Sequence, residues 1–326
     1  MNENILNIKS LETVYRTDSG GYVKALRSLT LDVKRGETLA LVGESGSGKS
    51  TLALSILRLI EPPNKIVNGE ILFHGREDDF NILDLDLGAL RRFRWRKVSM
   101  VFQSAMNILN PVSRVEDQFE DTFEAHNVDG DHASRIDKYL NMAGLGVNVK
   151  HMFPHELSGG MKQRVNIALA LSCEPELLIA DEPTTALDVV VQREILYELN
   201  ELKKKLNLTI IFITHDLGVA SSIADKIGIF YGGRVVEYGT RDEIINRPAH
   251  PYPKLLLLST VTLATPRLSS LASLAGSPPD LSKPIYGCSF YDRCPIREKA
   301  CLSYNLDPIE VSSDHYVECI KPDRRD

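Results

Sequence analysis

The feature that most restricts the fold of this chain is a glycine-rich loop at residues 43–50, Gly-Glu-Ser-Gly-Ser-Gly-Lys-Ser. It follows residues 37–42, which end in the apolar run Leu-Ala-Leu-Val and predict a buried strand, and it precedes residues 51–60, which predict a helix ending before a Pro-Pro pair. The pattern G-x-x-x-x-G-K-[ST] between a strand and a helix is typical of a phosphate-binding loop, because its glycines let backbone N–H groups approach phosphate oxygens. The N-terminus of the helix adds a positive end. An α/β fold with a nucleotide site is therefore predicted.

Two side chains of the loop have specific expected roles. We expect Lys49 to reach the β- and γ-phosphates and the Ser50 hydroxyl to coordinate Mg²⁺. The pattern indicates nucleotide binding without indicating its purpose. The residues predicted to surround the phosphates are Gly43, Glu44, Ser45, Gly46, Ser47, Gly48, Lys49, Ser50 and Thr51.

A pair of carboxylates ends a second apolar run. Residues 177–180 predict a buried strand, and Asp181 and Glu182 follow directly. Because side chains alternate along a strand, the two carboxylates face opposite sides. We expect Asp181 to assist Mg²⁺ and Glu182 to polarise the attacking water as general base. An acidic strand end alone would fit solvation equally well, so these roles depend on the phosphate loop.

A second anion site is predicted at the start of a helix that continues to residue 171. Ser158 suits the N-cap position, and the two glycines after it expose backbone N–H donors. Two phosphate sites so far apart along one chain are best explained if they meet across a dimer. The peptide consists of Leu157, Ser158, Gly159, Gly160 and Met161, followed by Lys-Gln-Arg.

This peptide resembles the signature sequence of ATP-binding cassette ATPases, which caps the γ-phosphate held by the partner's loop. Other motifs of that family follow in order: Gln103 matches the Q-loop glutamine, Asp188 the D-loop aspartate and His215 the switch histidine. The resemblance implies that the catalytic residues are Glu182, His215 and Gln103. It implies that the Mg²⁺ ligands are Ser50, Gln103 and Asp181. It also implies an aromatic residue that stacks on adenine, for which Tyr15 fits and Tyr22 is the alternative.

The resemblance covers residues 5–245 and implies a RecA-like P-loop core with an antiparallel β subdomain and a helical subdomain over about residues 104–164. The nucleotide-binding domain is accordingly predicted over residues 1–245, with a cysteine-containing C-terminal extension over residues 246–326. Within the first domain, residues 66–75 are expected to form a strand pair with Asn68-Gly69 as its turn.

Residues 91–97, Arg-Arg-Phe-Arg-Trp-Arg-Lys, interleave basic and aromatic side chains. Such a pattern occurs in nucleic-acid-binding patches. The resemblance places it on a helix that returns the chain to the sheet, so a solvated helix face is the favoured interpretation, with nucleic-acid or lipid contact as the alternative.

The extension resembles that of oligopeptide and dipeptide importer ATPases. His250-Pro251-Tyr252 and the leucines after Lys254 match that group. Members often carry Cys-x5-Cys-Pro-x5-Cys and a later cysteine that ligate a 4Fe-4S cluster. The corresponding residues here are Cys288, Cys294, Cys301 and Cys319. Four thiolates also suit tetrahedral zinc, and free thiols or disulfides are the remaining alternative.

Composition limits the partners and the compartment. The net charge of -6 provides no basic field for nucleic acid, and the nearest candidate for a membrane span, residues 255–264, is too short and contains three hydroxyl residues. The first residues lack the positive charge of a secretory signal, so a cytoplasmic location is expected. The resemblance places the chain peripherally on the cytoplasmic face of the cell membrane.

The function implied by the resemblance is that of the ATP-hydrolysing subunit of a peptide importer, which works by ATP-driven dimer closure. The implied partners are a paralogous ATPase subunit in a heterodimer, two transmembrane permease subunits and, indirectly, a substrate-binding protein. A homodimer is the alternative to the heterodimer, and oligosaccharides or another small solute are the alternative cargo. The alternative from another class is a soluble ATPase of DNA repair or translation, but the chain shows neither a second cassette nor a long coiled coil.

Overall fold

The computed structural model describes residues 3–103, 108–185, 187–259, 276–303 and 307–323. The backbone divides into two compact units. Unit 1 comprises Met1–Ile5, Val33–Thr38 and Phe73–Ile213, and unit 2 comprises Leu6–Asp32, Leu39–Leu72 and Thr214–Asp326.

Strands and helices alternate along most of the described chain. The strands are β1 (Asn4–Arg16), β2 (Tyr22–Lys34), β3 (Thr38–Val42), β4 (Lys65–His74), β5 (Asp79–Asn81), β6 (Val98–Val101), β7 (Leu177–Asp181), β8 (Thr209–Thr214), β9 (Lys226–Tyr231), β10 (Arg234–Thr240), β11 (Ile309–Ser312) and β12 (His315–Val317). The α-helices are α1 (Lys49–Ile56), α2 (Leu87–Phe93), α3 (Val115–Ala125), α4 (His132–Met142), α5 (Gly159–Leu171), α6 (Val189–Leu206), α7 (Leu217–Ile223), α8 (Arg241–Asn246) and α9 (Pro251–Ser259). Short 3-10 helices cover Ile82–Asp84, Val147–His151, Pro154–Glu156, Tyr291–Arg293 and Lys299–Leu302.

Unit 1 contains a group of parallel strands in which β7 lies between β6 and β8. All residues of β6 and β7 are buried, as expected of parallel strands that are covered on both faces. The register pairs Val101 at the end of β6 with Ala180 near the end of β7. Since the strands run in the same direction, the residues that follow β6 and β7 emerge at the same edge.

The helical part of unit 1 contains α3 and α4, within the subdomain predicted over about residues 104–164. Residues 104–107 lie outside the described residues. Phe119 and Phe123 form the buried face of α3, and Tyr139 lies on the buried face of α4. Asp131 caps α4 by accepting a hydrogen bond from Ser134 N at 3.2 Å, which satisfies a backbone donor of the first turn.

The basic stretch at residues 91–97 runs from α2 into β6. Arg91 and Arg92 are exposed on α2, whereas Phe93 is buried. Lys97 Nζ donates to Glu176 Oε1 at 2.9 Å, so that cation is paired within the unit. The solvated helix face favoured by the sequence therefore matches the exposure of the first two arginines.

Unit 2 contains two groups of strands. In one, β2, β1 and β4 lie side by side in that order. In the other, β3 pairs in parallel with β9, which is antiparallel to β10, and β12 is antiparallel to β10 and β11. The last two strands come from the C-terminal extension, which therefore adds to the sheet that contains β3.

One sequence prediction for unit 2 is wrong. Residues 66–75 were expected to form a strand pair that turns at Asn68-Gly69, but Lys65–His74 is one continuous strand, β4. Gly69 has φ +105°, and a Cβ atom there would lie 2.6 Å from Leu11 Cα and 2.7 Å from the Lys9 carbonyl oxygen. The glycine therefore permits close approach of the β1 backbone instead of a turn.

The extension supplies large side chains to the core of unit 2. Tyr252 of α9 and Phe290 pack against Tyr231 at the end of β9, with ring centroids 4.6 and 5.1 Å from that of Tyr231. Tyr252 and Phe290 are almost completely buried together with residues of β3 and β9. The boundary predicted at residues 245/246 stays a prediction.

A buried carboxylate fixes the start and the end of the extension. Glu237 of β10 is 1% exposed and accepts hydrogen bonds from Ala249 N at 2.8 Å and His250 N at 2.7 Å. Its Oε1 also lies 2.8 Å from His315 Nε2 on β12. The cost of burying this carboxylate is offset only while all three neighbours are in place.

Across the described ranges, no helix combines the length and the apolar character needed to cross a membrane. Residues 260–264 of the apolar run considered above lie outside those ranges.

Candidate functional site

The phosphate loop connects β3 to α1 and requires glycine at two positions. A Cβ atom at Gly43 would lie 2.3 Å from the Phe230 carbonyl oxygen, so no larger residue fits. Gly48 has φ +112°, and a Cβ atom there would lie 2.6 Å from the Ala25 carbonyl oxygen. The backbone can therefore curve closely, and α1 begins directly afterwards at Lys49. This arrangement suits a phosphate group at a helix N-terminus.

Lys49 is buried inside the loop. Its Nζ donates to the carbonyl oxygens of Gly43 at 2.7 Å and Glu44 at 2.9 Å, and to Ser47 Oγ at 3.3 Å. These acceptors are neutral, and an anionic phosphate oxygen is a stronger acceptor for an ammonium group. Ser50 follows at the second position of α1 and is half-buried. The loop therefore offers an ammonium and a hydroxyl to a nucleotide and its metal.

The C-terminal extension contacts this loop, which the sequence reasoning missed. Arg293 Nη1 and Nη2 donate to the two carboxylate oxygens of Glu44 at 2.8 and 2.9 Å. Glu44 N donates to the Tyr252 hydroxyl at 3.2 Å. Arg293 and Glu44 are 249 positions apart, so no local pattern could have signalled the pair.

At the shared edge of β6 and β7, the structure brings two predicted catalytic residues into contact. Gln103 Nε2 donates to Glu182 Oε2 at 3.1 Å, and Thr185 Oγ1 donates to the same oxygen at 3.0 Å. Glu182 has φ +46°, a left-handed conformation that is uncommon outside glycine and frequent at functional sites. Asp181, the last residue of β7, is buried. The two carboxylates thus occupy different environments, as their expected roles require.

The signature peptide and the D-loop residue occupy helix N-termini. Ser158 is exposed and caps α5 by accepting from Met161 N at 3.3 Å. A Cβ atom at Gly160 would lie 2.9 Å from Val191 Cγ1 of α6, so the glycine permits close packing there. Asp188 caps α6 by accepting from Val190 N and Val191 N, both at 3.0 Å.

His215 follows β8 directly and is exposed. The next residue, Asp216, caps α7 by accepting from Gly218 N at 2.7 Å and Val219 N at 3.2 Å. The cap fixes the turn that carries the histidine. Its ring is therefore presented at the carboxyl end of a buried strand, where ligands of α/β proteins bind.

The two candidate adenine-stacking tyrosines lie in different environments. Thr13 Oγ1 is 3.0 Å from Ser55 Oγ of α1, so this side chain faces the helix that follows the phosphate loop. Tyr15 lies two residues further along β1 and thus on the same face. Tyr22 instead lines a cavity of about 640 Å³ together with Val14, which points to the opposite face of β1.

The four cysteines of the extension line one small cavity. They are Cys288, Cys294, Cys301 and Cys319. All four are free thiols. Burial raises the pKa of the Cys288 thiol to about 11, and burial also raises the pKa of Cys294 and of Cys319. Within the part of the chain that is described, no three His, Cys, Asp or Glu side chains converge closely enough to hold a metal ion. Neither the predicted 4Fe-4S cluster nor zinc is supported as a preformed site.

The predicted site residues are divided between the two units. Unit 1 carries Gln103, Asp181 and Glu182, together with the signature peptide and Asp188. Unit 2 carries the phosphate loop, Tyr15 and His215, together with the four cysteines. The predicted phosphate loop therefore lies in unit 2 and the candidate general base in unit 1.

Known protein families match both parts of the chain. The family described as ABC transporter matches residues 26–185. The family described as the oligopeptide/dipeptide transporter C-terminal region matches residues 236–301.

The sequence similarity to two transport proteins covers almost the whole chain. The oligopeptide transport ATP-binding protein OppD of Bacillus subtilis is 41% identical over 319 residues, covering 96% of this chain and 88% of that protein. The dipeptide transport ATP-binding protein DppD of Caldanaerobacter subterraneus is 38% identical, covering 97% of this chain and 96% of that protein.

Solved structures support the same fold. The ATP-binding cassette MJ0796, a dimer in a post-hydrolysis state bound to ADP and Pi, is 30% identical with a TM-score of 0.63, covering 72% of this chain and 98% of that chain. The cbiO1 protein of Clostridium perfringens, part of the ABC transporter complex cbiONQ, is 30% identical with a TM-score of 0.64, covering 79% and 95%.

Proposed function

This chain belongs to the ABC transporter family and is an ATP-hydrolysing, ATP-binding subunit, and we propose that it powers an importer of di- and oligopeptides. The observation that carries the proposal is the similarity to oligopeptide and dipeptide transport ATP-binding proteins along nearly the full chain, extension included. A cassette alone would be compatible with many transported substrates, whereas the extension also matches the family described as the oligopeptide/dipeptide transporter C-terminal region.

The phosphate loop fits the triphosphate of ATP. A Cβ atom at Gly43 or Gly48 would clash with a neighbouring backbone carbonyl oxygen, so the loop can adopt its close-packed conformation only with glycine at these positions, and Lys49 lies within the loop. In our proposal, backbone N–H groups and Lys49 bind the phosphates, and Tyr15 stacks on adenine because it shares a face of β1 with Thr13. Tyr22 instead lines the cavity of about 640 Å³ that Val14 also lines, so we do not include it in the site.

The carboxylates after β7 suit hydrolysis. Bound Mg²⁺ would neutralise phosphate charge, and the residues that would hold it are Ser50, Asp181 and Gln103. Glu182 acts as general base toward the attacking water, and its hydrogen bonds from Gln103 and Thr185 orient its carboxylate. His215 completes the catalytic set from the end of β8.

The signature peptide serves a partner's nucleotide. Exposed Ser158 and the free end of α5 present backbone donors outward, which suits an anion that the chain does not itself hold. Two chains closing head to tail would therefore form two composite ATP sites. We further propose a paralogous ATPase subunit as the partner, and two transmembrane permease subunits that anchor the pair peripherally at the cytoplasmic face of the membrane. A substrate-binding protein acts indirectly, outside the membrane.

The cysteine cavity is proposed to hold a 4Fe-4S cluster. Four thiols line one cavity, and burial raises the pKa of Cys288, Cys294 and Cys319, so bound cations would have to stabilise these thiolates. What supports the cluster is the resemblance of the Cys-x5-Cys-Pro-x5-Cys pattern and its later cysteine to importer ATPases that carry one, since four cysteine thiolates are the usual ligands of a 4Fe-4S cluster.

Reconstitution tests the transport function. The chain is purified in detergent with its membrane partners and placed in proteoliposomes with the substrate-binding protein encoded beside it. We expect peptides to stimulate ATP hydrolysis and to accumulate inside the vesicles. Stimulation by an oligosaccharide or nickel instead would overturn the peptide assignment, and recovery with DNA or ribosomes instead of membrane subunits would overturn the transporter assignment.

A further inference from the structure

The C-terminal extension holds one residue of the phosphate loop at two points. Arg293, whose side chain is 5% exposed, forms a two-point ion pair with the Glu44 carboxylate at 2.8 and 2.9 Å. The Tyr252 hydroxyl accepts the hydrogen bond from Glu44 N at 3.2 Å. Both the side chain and the backbone of Glu44 are thus fixed by the extension.

Both contacting side chains are firmly anchored. Arg293 Nη1 also donates to the Tyr231 hydroxyl at 3.3 Å, and Arg293 N donates to the Phe290 carbonyl oxygen at 3.1 Å. The Tyr252 ring packs against those of Tyr231 and Phe290, with centroids 4.6 and 5.3 Å apart. Because these groups are already ordered, the pair with Glu44 loses less conformational entropy than an exposed ion pair does.

The position of Glu44 explains why it needs such a partner. It is the second residue of the loop, and Lys49 donates to its carbonyl oxygen. A carboxylate without a counter-charge at this position would repel the phosphate groups that the loop is built to bind. Arg293 neutralises that charge and holds the carboxylate against the extension.

We infer that Arg293 and Tyr252 are positioning residues for the phosphate loop, through which the C-terminal extension sets the affinity of the chain for ATP. The inference rests on the proposed ATP binding by this loop. The hydrogen bonds that carry it are made by Arg293 and Tyr252 and involve none of the four cysteine side chains.

Titration with a fluorescent ATP analogue tests the role of Arg293 in the full-length chain. Arg293→Ala is expected to weaken binding about tenfold, because one charge-assisted pair is lost and a carboxylate is left uncompensated. Adding Glu44→Gln to that variant removes the carboxylate charge, so affinity should return to within about threefold of the wild-type value. Arg297→Ala is the matched control, since Arg297 is an exposed arginine of the same extension that donates to the Asp292 carbonyl oxygen.

Hydrogen exchange tests the backbone contact without nucleotide. Tyr252→Phe removes the hydroxyl while keeping the buried ring, so the chain is expected to fold. The amide of Glu44 should exchange faster in this variant, because its acceptor is gone, whereas the exchange of β9 should be unchanged. This measurement remains informative if Arg293→Ala does not fold.

The outcomes separate this inference from the proposed function. Equal ATP affinity in the wild type, Arg297→Ala and Arg293→Ala would overturn the inference and leave ATP binding intact. A loss in Arg293→Ala that Glu44→Gln does not restore would overturn it as well. If the wild type itself bound no ATP, the proposed function would be wrong, and unchanged exchange at Glu44 in Tyr252→Phe would then overturn the inference separately.

Discussion

Replacing Glu182 with Gln isolates the chemical step of the proposed reaction. Two hydrogen bonds to this side chain, from Gln103 Nε2 and Thr185 Oγ1, converge on one oxygen, Oε2, at 3.1 and 3.0 Å. An amide oxygen can accept the same two hydrogen bonds, so Glu182→Gln preserves the position of the side chain. What it removes is the negative charge and the basicity of the carboxylate.

The expected loss follows from that difference. General-base catalysis contributes roughly 10²–10⁴-fold to a rate, which corresponds to about 2.7–5.4 kcal/mol of barrier at 1.36 kcal/mol per decade. ATP hydrolysis should therefore fall by at least about 100-fold. ATP binding should persist, because Lys49 and the phosphate loop are untouched, and ATP-bound dimers should accumulate.

Phosphate release and nucleotide titration measure the two effects separately, with gel filtration in the presence of ATP to detect dimers. Thr185→Ala is the matched control, since it removes one hydrogen bond to the same oxygen and leaves the carboxylate; its hydrolysis should fall less than about tenfold. Lys49→Ala is the converse variant and should weaken nucleotide binding itself. If Glu182→Gln hydrolysed ATP at near the wild-type rate, Glu182 would not be the general base.

Three other properties can be tested. Ser158→Arg should leave ATP binding by the chain's own loop intact but block ATP-dependent dimerisation and transport, because a large arginine side chain replaces the exposed N-cap serine of α5. Normal dimerisation in sedimentation experiments would contradict the proposed contact with a partner's nucleotide. Protein purified without oxygen should be brown and contain about four iron atoms per chain by the cluster assignment, and replacing Cys288 and Cys294 with serine should remove the colour; one zinc and no iron would contradict the cluster, and no metal at all would contradict both. Burial lowers the pKa of His250 to about 3, whereas the pKa of histidine in an unfolded chain is about 6.5. Below about pH 6.5 the unfolded state therefore binds more protons, and the free energy of unfolding should fall by up to ~1.4 kcal/mol for each pH unit lost. His250→Asn keeps an acceptor for Tyr252 N, and its free energy of unfolding in urea should decline less between pH 7 and 5 than that of the wild type. An equal decline in both proteins would contradict this assignment.

The parts of the fold that local sequence could predict are those set by local chemistry. The glycines of the phosphate loop follow from backbone conformation and close approach, so their spacing alone predicts the strand, loop and helix order. The helix after the loop was expected to reach residue 60 but ends at Ile56, because Arg58 adopts φ +49°. Asn68-Gly69 was misread for a related reason, since a glycine that admits a neighbouring backbone has the same sequence signal as a turn.

The parts that could not be predicted depend on contacts between distant segments. The choice between Tyr15 and Tyr22 needs the faces of β1, which a loose spacing does not define. The ion pair of Arg293 with Glu44 joins two segments of unit 2 that are far apart in sequence, and an arginine beside a cysteine has no pattern that indicates its partner. Sequence patterns therefore indicated the groups that we propose to contact nucleotide and missed the arginine that holds one of them.

The Glu237 carboxylate also constrains the order in which related proteins can lose the C-terminal extension during evolution. It is buried, and its three donors come from Ala249, His250 and His315, at the beginning and near the end of the extension. A lineage that lost β12 while retaining Glu237 would keep a buried charge with part of its solvation missing. Deletion of the extension should therefore be tolerated only after an apolar substitution at this position, so ancestry should show the substitution first and the shortened chain second.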